Sequence, residues 1–239
     1  MNLVLDLGNT NVKLAIFNND KIIEYAMVSK LSFTELKKVK YKYPAIKNLC
    51  FSNTGPHIKD IERFCQESKI KYVKLDSNCS LPISIEYDTP KTLGSDRIAL
   101  CVGAHINYPG NKLIIDLGTC LTYDILIKNK YMGGQISPGF QMRLRSLNHY
   151  TTNLPKLNFE FTFNEIGKTT KESILLGVYE GILFEIEGII QKYKLRYPNI
   201  TVIFTGGDVD FIKKRVKNTN FINPYLLMEG LNYIIASNE

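Results

Sequence analysis

Short apolar runs separated by turn residues dominate the chain. They predict strands at residues 2–7, 12–17, 21–28, 48–52, 72–75, 112–117, 122–127 and 201–205, with another around Tyr131. Asn18-Asn19-Asp20 supplies the turn between the second and third. Apolar residues three and four apart predict helices at 33–39 and at 58–68, where Ile58, Ile61, Phe64 and Cys65 share a face. Ser95 or Asp96 caps a helix over 97–107, which Pro109-Gly110 ends. The longest helix is predicted over 172–194, with Ile174, Val178, Ile182, Ile186, Ile189, Ile190 and Tyr193 on one stripe. Gly177, Gly181 and Gly188 interrupt it at a cost in helix propensity and suggest close helix–helix packing. Residues 82–94 and 133–139 are expected as loops, a helix following the second and another following Gly206-Gly207-Asp208.

One piece of this pattern occurs twice. Val4-Leu5-Asp6-Leu7-Gly8-Asn9-Thr10 returns, altered, as Ile114-Ile115-Asp116-Leu117-Gly118-Thr119-Cys120. Each copy is followed by a second strand, so the unit is strand, tight turn, strand. A glycine at the turn lets backbone amides approach a phosphate closely, because no Cβ intervenes. The neighbouring carboxylate can hold a cation. Two such turns predict two related α/β half-domains, 1–109 and 110–239, and make phosphoryl transfer the leading reading.

Composition narrows the classes. With 44% apolar and 22% charged residues among 239, the chain can bury a real core. No apolar run is long enough for a spanning helix and no signal peptide is visible, so a cytoplasmic protein off the membrane is expected. The cysteines, Cys50, Cys65, Cys79, Cys101 and Cys120, are odd in number and form no C-x-x-C pair, which argues against a disulfide framework or a zinc site. The net charge of +7 comes mostly from scattered lysines, a solvated surface rather than a nucleic-acid stripe. His57, His105 and His149 lie far apart and lack ligand spacing.

Four clusters carry candidate chemistry. Asp6-x-Gly8-Asn9-Thr10-x-x-Lys13 offers backbone donors, side-chain donors and an ammonium to polyphosphate oxygens; alone it also fits a polar hairpin. It is neither a Walker loop nor a Rossmann fingerprint. Asp116-x-Gly118-Thr119, with Thr122 and Asp124, suits a cation beside phosphates. Gly94-Ser95-Asp96-Arg97 offers a carboxylate base and a guanidinium for an anionic substrate, and also fits a helix cap. Thr205-Gly206-Gly207-Asp208 fits close approach of an adenine or ribose, or an ordinary strand-to-helix turn.

Together these motifs resemble the type III pantothenate kinases, members of the acetate kinase/sugar kinase/Hsp70/actin superfamily. The resemblance runs in order through Asp6 to Lys13, Tyr87-Asp88-Thr89-Pro90, Gly94 to Arg97, Asp116 to Asp124 and Gly133 to Gly139. It continues through Gly167 to Glu172, Thr205 to Asp208 and Glu229-Gly230-Leu231. It implies two actin-like (ribonuclease H-like) half-domains with a nucleotide cleft between them, and ATP-dependent phosphorylation of pantothenate to 4'-phosphopantothenate. By motif, Asp6, Leu7, Gly8, Asn9, Thr10, Asn11, Val12, Lys13 and Thr119 would bind ATP, and Asp96 would be the general base. Tyr87, Gly94, Ser95, Asp96, Arg97 and Thr170 would contact pantothenate. Asp116 would serve the monovalent cation, K⁺ or NH₄⁺, with Mg²⁺ accompanying ATP and a homodimer as the working form. Cys120 and Ser95 depart from the family's usual alanines, and Lys168-Thr169 from its Arg-Asn. Another small-molecule kinase of this fold, or a non-catalytic nucleotide-binding regulator, remains the alternative.

Overall fold

The computed structural model describes residues 1–8, 10–53, 58–160, 165–213, 215–216 and 219–238. The chain opens with β1 (Asn2–Leu7), β2 (Val12–Asn18), β3 (Lys21–Val28), α1 (Phe33–Lys42), β4 (Asn48–Asn53), α2 (Ile58–Ser68) and β5 (Lys71–Lys74). Next come β6 (Ser84–Ile85), α3 (Ser95–Asn107), β7 (Lys112–Leu117), β8 (Cys120–Ile127), β9 (Lys130–Pro138) and α4 (Phe140–His149). The series ends with α5 (Thr170–Arg196), β10 (Thr201–Thr205), β11 (Phe221–Ile222) and α6 (Leu226–Ser237).

Two compact units result: residues 1–109, 126–133 and 225–239, and residues 110–125 and 134–224. One boundary falls after Pro109, and α6 and residues 126–133 group with the first unit.

In the first unit a five-stranded sheet has the order β3-β2-β1-β4-β5. β1 pairs antiparallel with β2 and parallel with β4. Alternate side chains point to opposite faces. Leu3, Leu5 and Leu7 of β1 join Leu14, Leu49 and Phe51 in a core closed by Leu36 of α1 and Ile61 and Phe64 of α2. The opposite face is covered by α6, which packs on β1, β2 and β4, and by α3, which packs on β4. α1 starts at Ser32, whose side chain and that of Glu35 close a reciprocal capping box. The second sheet has the order β11-β10-β7-β8-β9-β6, with β7 and β10 parallel.

Four local expectations change. Residues 133–138, expected as a loop, extend β9, because two glycines carry no side chain to display the period-two pattern. Residues 82–94 hold β6 and a 3₁₀ turn, Pro90–Thr92. After Asp208 the described residues form a 3₁₀ turn, Val209–Phe211, rather than the expected helix. α3 starts one residue earlier than the expected caps allow: Gly94 is the N-cap, with no side-chain cap bond, so Ser95 and Asp96 lie inside the first turn. Among the described residues no helix is long and apolar enough to cross a membrane.

Candidate functional site

Asp6 is set by strand register. It stands opposite Lys13 on β2 and opposite Ser52 on β4, so a lysine, a carboxylate and a hydroxyl form one row across three strands. Ser52 Oγ donates to Asp6 Oδ1 at 2.7 Å, and Lys13 Nζ lies 3.4 Å from Oδ2. Asp6 is only 5% exposed, and a charge-assisted hydrogen bond of this kind contributes about 1.5–3 kcal/mol. The Lys13 side chain keeps 29% exposure, so its ammonium can still meet an incoming anion. At Gly8 a Cβ would stand 3.0 Å from the Asn11 carbonyl, tighter than real Cβ contacts usually are. Leu7 and Val12 turn their side chains into the core, so a ligand could reach only their backbone. Thr10 is exposed and Asn11 half-buried. Asn9, and His57 with it, lie outside the described residues.

Asp96 belongs to the same unit. Its Oδ1 accepts the Arg97 backbone N–H at 2.9 Å, and a side chain at Gly94 would collide with its carboxylate. Burial, chiefly, pushes the Asp96 carboxyl above its ordinary range; the nearby Asp6 charge pushes the same way, while Arg97 opposes both. Arg97 is buried and its guanidinium lies over the Tyr131 ring, 5.8 Å from the centroid. Tyr131 packs against Tyr87 at 5.9 Å, and the Tyr87 ring in turn lies against Gly133. Gly133 has φ +98°, a conformation that leaves little room for any other residue. The pairing of β6 with the start of β9 places these aromatics, which the 82–94 loop expectation did not foresee.

In the second unit, Asp116, next to last in β7, stands opposite Thr205 of β10. Three backbone bonds gather the turn: Gly118 N–H to Cys120 O at 3.1 Å, Gly139 N–H to Thr119 O at 3.2 Å, and Asp208 N–H to Leu117 O at 3.0 Å. Gly206, at φ +100°, leaves no room for a Cβ against Leu117 O and the Asp116 carboxylate. The second and fourth sequence clusters are therefore one site. Thr119 is exposed beside it, Asp124 is fully buried and hydrogen-bonded by Thr122, and burial raises the Asp208 carboxyl. Among the described residues no three His, Cys, Asp or Glu side chains converge as a metal cluster. The Leu117 carbonyl and the Asp116 carboxylate both face the Gly206 backbone, and oxygen is the donor type hard cations favour.

Thr170 follows the true N-cap, Thr169, which forms a capping box with Glu172. It lines a cavity of about 790 Å³ in the second unit with Arg143, Lys168 and Ser173. Nearby, Glu185 accepts hydrogen bonds from Tyr123 Oη (3.0 Å), Ser137 Oγ (3.2 Å) and the Arg143 guanidinium. Burial and the Glu185 charge raise the Tyr123 phenol. No sequence pattern announced Arg143 and Glu185, because the network joins α4, α5, β8 and β9 through long-range contacts.

The type III pantothenate kinase family model matches residues 2–192. A Christiangramia forsetii protein named type III pantothenate kinase is 42% identical over 242 residues, covering 100% of this chain and 99% of that protein. Among solved structures, a Campylobacter jejuni protein described as a Baf family transcriptional activator superposes with TM-score 0.65 at 21% identity, covering 99% of this chain and 98% of its own. A Cytophaga hutchinsonii protein described as a sugar kinase gives TM-score 0.55 at 12% identity, with 99% of each chain covered. At such identities the two structures speak for a shared fold alone.

Proposed function

From the membership of this chain in the type III pantothenate kinase family, we infer how its residues divide the work of phosphorylating pantothenate with ATP. The product, 4'-phosphopantothenate, is the first intermediate of coenzyme A biosynthesis. Asp96 takes the proton of the acceptor hydroxyl. The observation that carries this role is its half-buried position at the first turn of α3, within electrostatic reach of Asp6, which makes it a stronger base than a solvated carboxylate. Phosphoryl transfer is loose, so the base acts late and positioning matters most.

Residues 6–13, with Thr119, hold ATP, and Lys13 neutralises charge gathering on the transferred group. Mg²⁺ would accompany ATP, held mainly through the phosphates, as this ion commonly is. It supplies charge neutralisation at the phosphates. Arg97 meets the pantothenate carboxylate, Tyr87, Gly94 and Ser95 line the same pocket, and Thr170 contributes a further contact. Asp116, beside the Gly206 turn, takes K⁺ or NH₄⁺.

The working form is a homodimer in the cytoplasm. The exposed stripe of α5, Gly177, Gly181, Phe184 and Gly188, supports such pairing: Phe184 is 63% exposed, and nothing fills the space over Gly177 and Gly188. The test is phosphorylation of pantothenate by purified protein in potassium or in sodium salt. Turnover that needs potassium supports the whole division of roles. Equal turnover in both salts removes the cation role of Asp116, and no product in either removes the acceptor assignment.

A further inference from the structure

α3 and α6 cross backbone to backbone. A Cβ on Gly103 would collide with the Leu226 carbonyl, and one on Gly230 with the Ala99 carbonyl, so only glycine fits either position. One turn further along α3, Asn107 Nδ2 donates to Glu229 Oε2 at 2.7 Å and to Gly103 O at 2.9 Å. α6 is in turn tied to the sheet. Asn232 Nδ2 donates to Asn19 O at 3.0 Å, Asn2 Nδ2 donates to Asn232 Oδ1 at 2.9 Å, and Asn48 Nδ2 donates to Asn2 Oδ1 at 3.2 Å. Asn2 begins β1, the strand that also carries Asp6. A continuous path of close contacts therefore runs from Asp96 along α3, across the glycine crossing to α6, and back through β1 to the Asp6–Lys13 pair. From Asp96 to Gly103 is about 10 Å of helix at 1.5 Å per residue.

We propose that Gly103, Gly230, Asn107 and Glu229 are positioning residues for phosphoryl transfer: the crossing fixes the height of α3 over the sheet, and so the distance between the Asp96 carboxylate and the phosphate ligands on β1 and β2. This rests on Asp96 being the base. A rigid crossing matters because a misplacement of about 1 Å at the reacting centre costs roughly 10²-fold in rate. The charged groups bearing on Asp96 are Asp6 from β1 and Arg97 from its own turn. Displacing α3 relaxes both the burial of Asp96 and its approach to Asp6, so the acid limb of the rate profile moves to lower pH.

The experiment measures kcat, KM for both substrates, the pH profile of kcat and thermal melting for Gly230→Ala, Glu229→Ala, Glu229→Gln and Asp96→Asn in the full chain. Gly230→Ala is expected to lose roughly 10- to 100-fold in kcat with KM for ATP nearly unchanged, and to shift the acid limb downward. Glu229→Ala should show a weaker form of both effects, and Glu229→Gln, which keeps an acceptor for Asn107, should restore them. If Gly230→Ala does not fold, the Glu229 pair decides. Loss of activity that follows melting temperature alone, with the acid limb unmoved, overturns the proposal while leaving an inactive Asp96→Asn, and so the base assignment, intact. An active Asp96→Asn overturns both.

Discussion

The two strand–turn–strand copies share a backbone plan and differ in what stands seven residues after the acid. In the first copy that residue is Lys13, ion-paired to Asp6; in the second it is Tyr123, whose hydroxyl is bound to Glu185. The turns are supported differently as well. Asp6 is held by side chains from β2 and β4, whereas the Gly118 turn is held by backbone from Gly139 and from the Gly206–Asp208 segment. One copy keeps a partly exposed ammonium beside its acid. The other offers a rigid backbone cradle. The difference teaches that two copies of one strand–turn–strand plan can be set apart by a single side chain and by what supports the turn.

Substitutions can sharpen or break that contrast. Asp96→Asn, beside the charged copy, should have the largest effect, a fall of about 10²–10⁴-fold in kcat with ATP binding retained, read by turnover and titration calorimetry. The same variant should melt no lower than the parent at neutral pH. A carboxyl whose folded pKa is raised binds its proton more tightly folded than unfolded, so its ionisation lowers stability as pH rises through that window. Turnover of the parent should likewise fall as pH drops through the raised Asp96 value, above the ordinary carboxylate range.

Lys13→Met should follow, with roughly 10²–10³-fold lower kcat, because an oxyanion-stabilising cation is lost. Adding Tyr123→Lys should not restore turnover to Lys13→Met if the two copies are specialised. Gly206→Ala tests the cradle instead. The strain at φ +100° alone is about 1–3 kcal/mol, and the collision with Leu117 O adds to it, so melting and nucleotide affinity should both fall. Smallest is Tyr123→Phe, which removes one hydrogen bond to Glu185 and should cost about 0.5–1.5 kcal/mol in denaturant unfolding with kcat nearly unchanged. A Tyr123→Phe enzyme that loses most turnover would mean the second copy contributes chemistry as well as shape.

Much of this was legible in the residues. The repeat exposed both turns, since strand period and turn glycines are local signals, and β1, β2, β7 and β8 lie where the apolar runs placed them. The Asp96 turn was legible as a motif but not its burial, which depends on packing. Ser52 escaped notice because a lone serine in an apolar strand gains meaning only from the parallel register with Asp6. β9 was hidden by its glycines. α6 was missed although Leu227, Leu231, Ile234 and Ile235 follow helical spacing; only Glu229-Gly230-Leu231 drew attention, and what those residues touch lies more than a hundred positions upstream.

That last separation has a consequence for how the protein is made. The first unit is finished by a helix near residue 230, yet its sheet is synthesised before residue 80. At roughly 5–20 residues per second, the asparagine row and the Gly103 groove should stand uncovered for about 6–40 s while the second unit is synthesised. Residues 1–109 expressed alone should therefore fail to form a stable domain. A separately supplied peptide spanning 225–239 should be the missing piece that restores protection to the amides of α3.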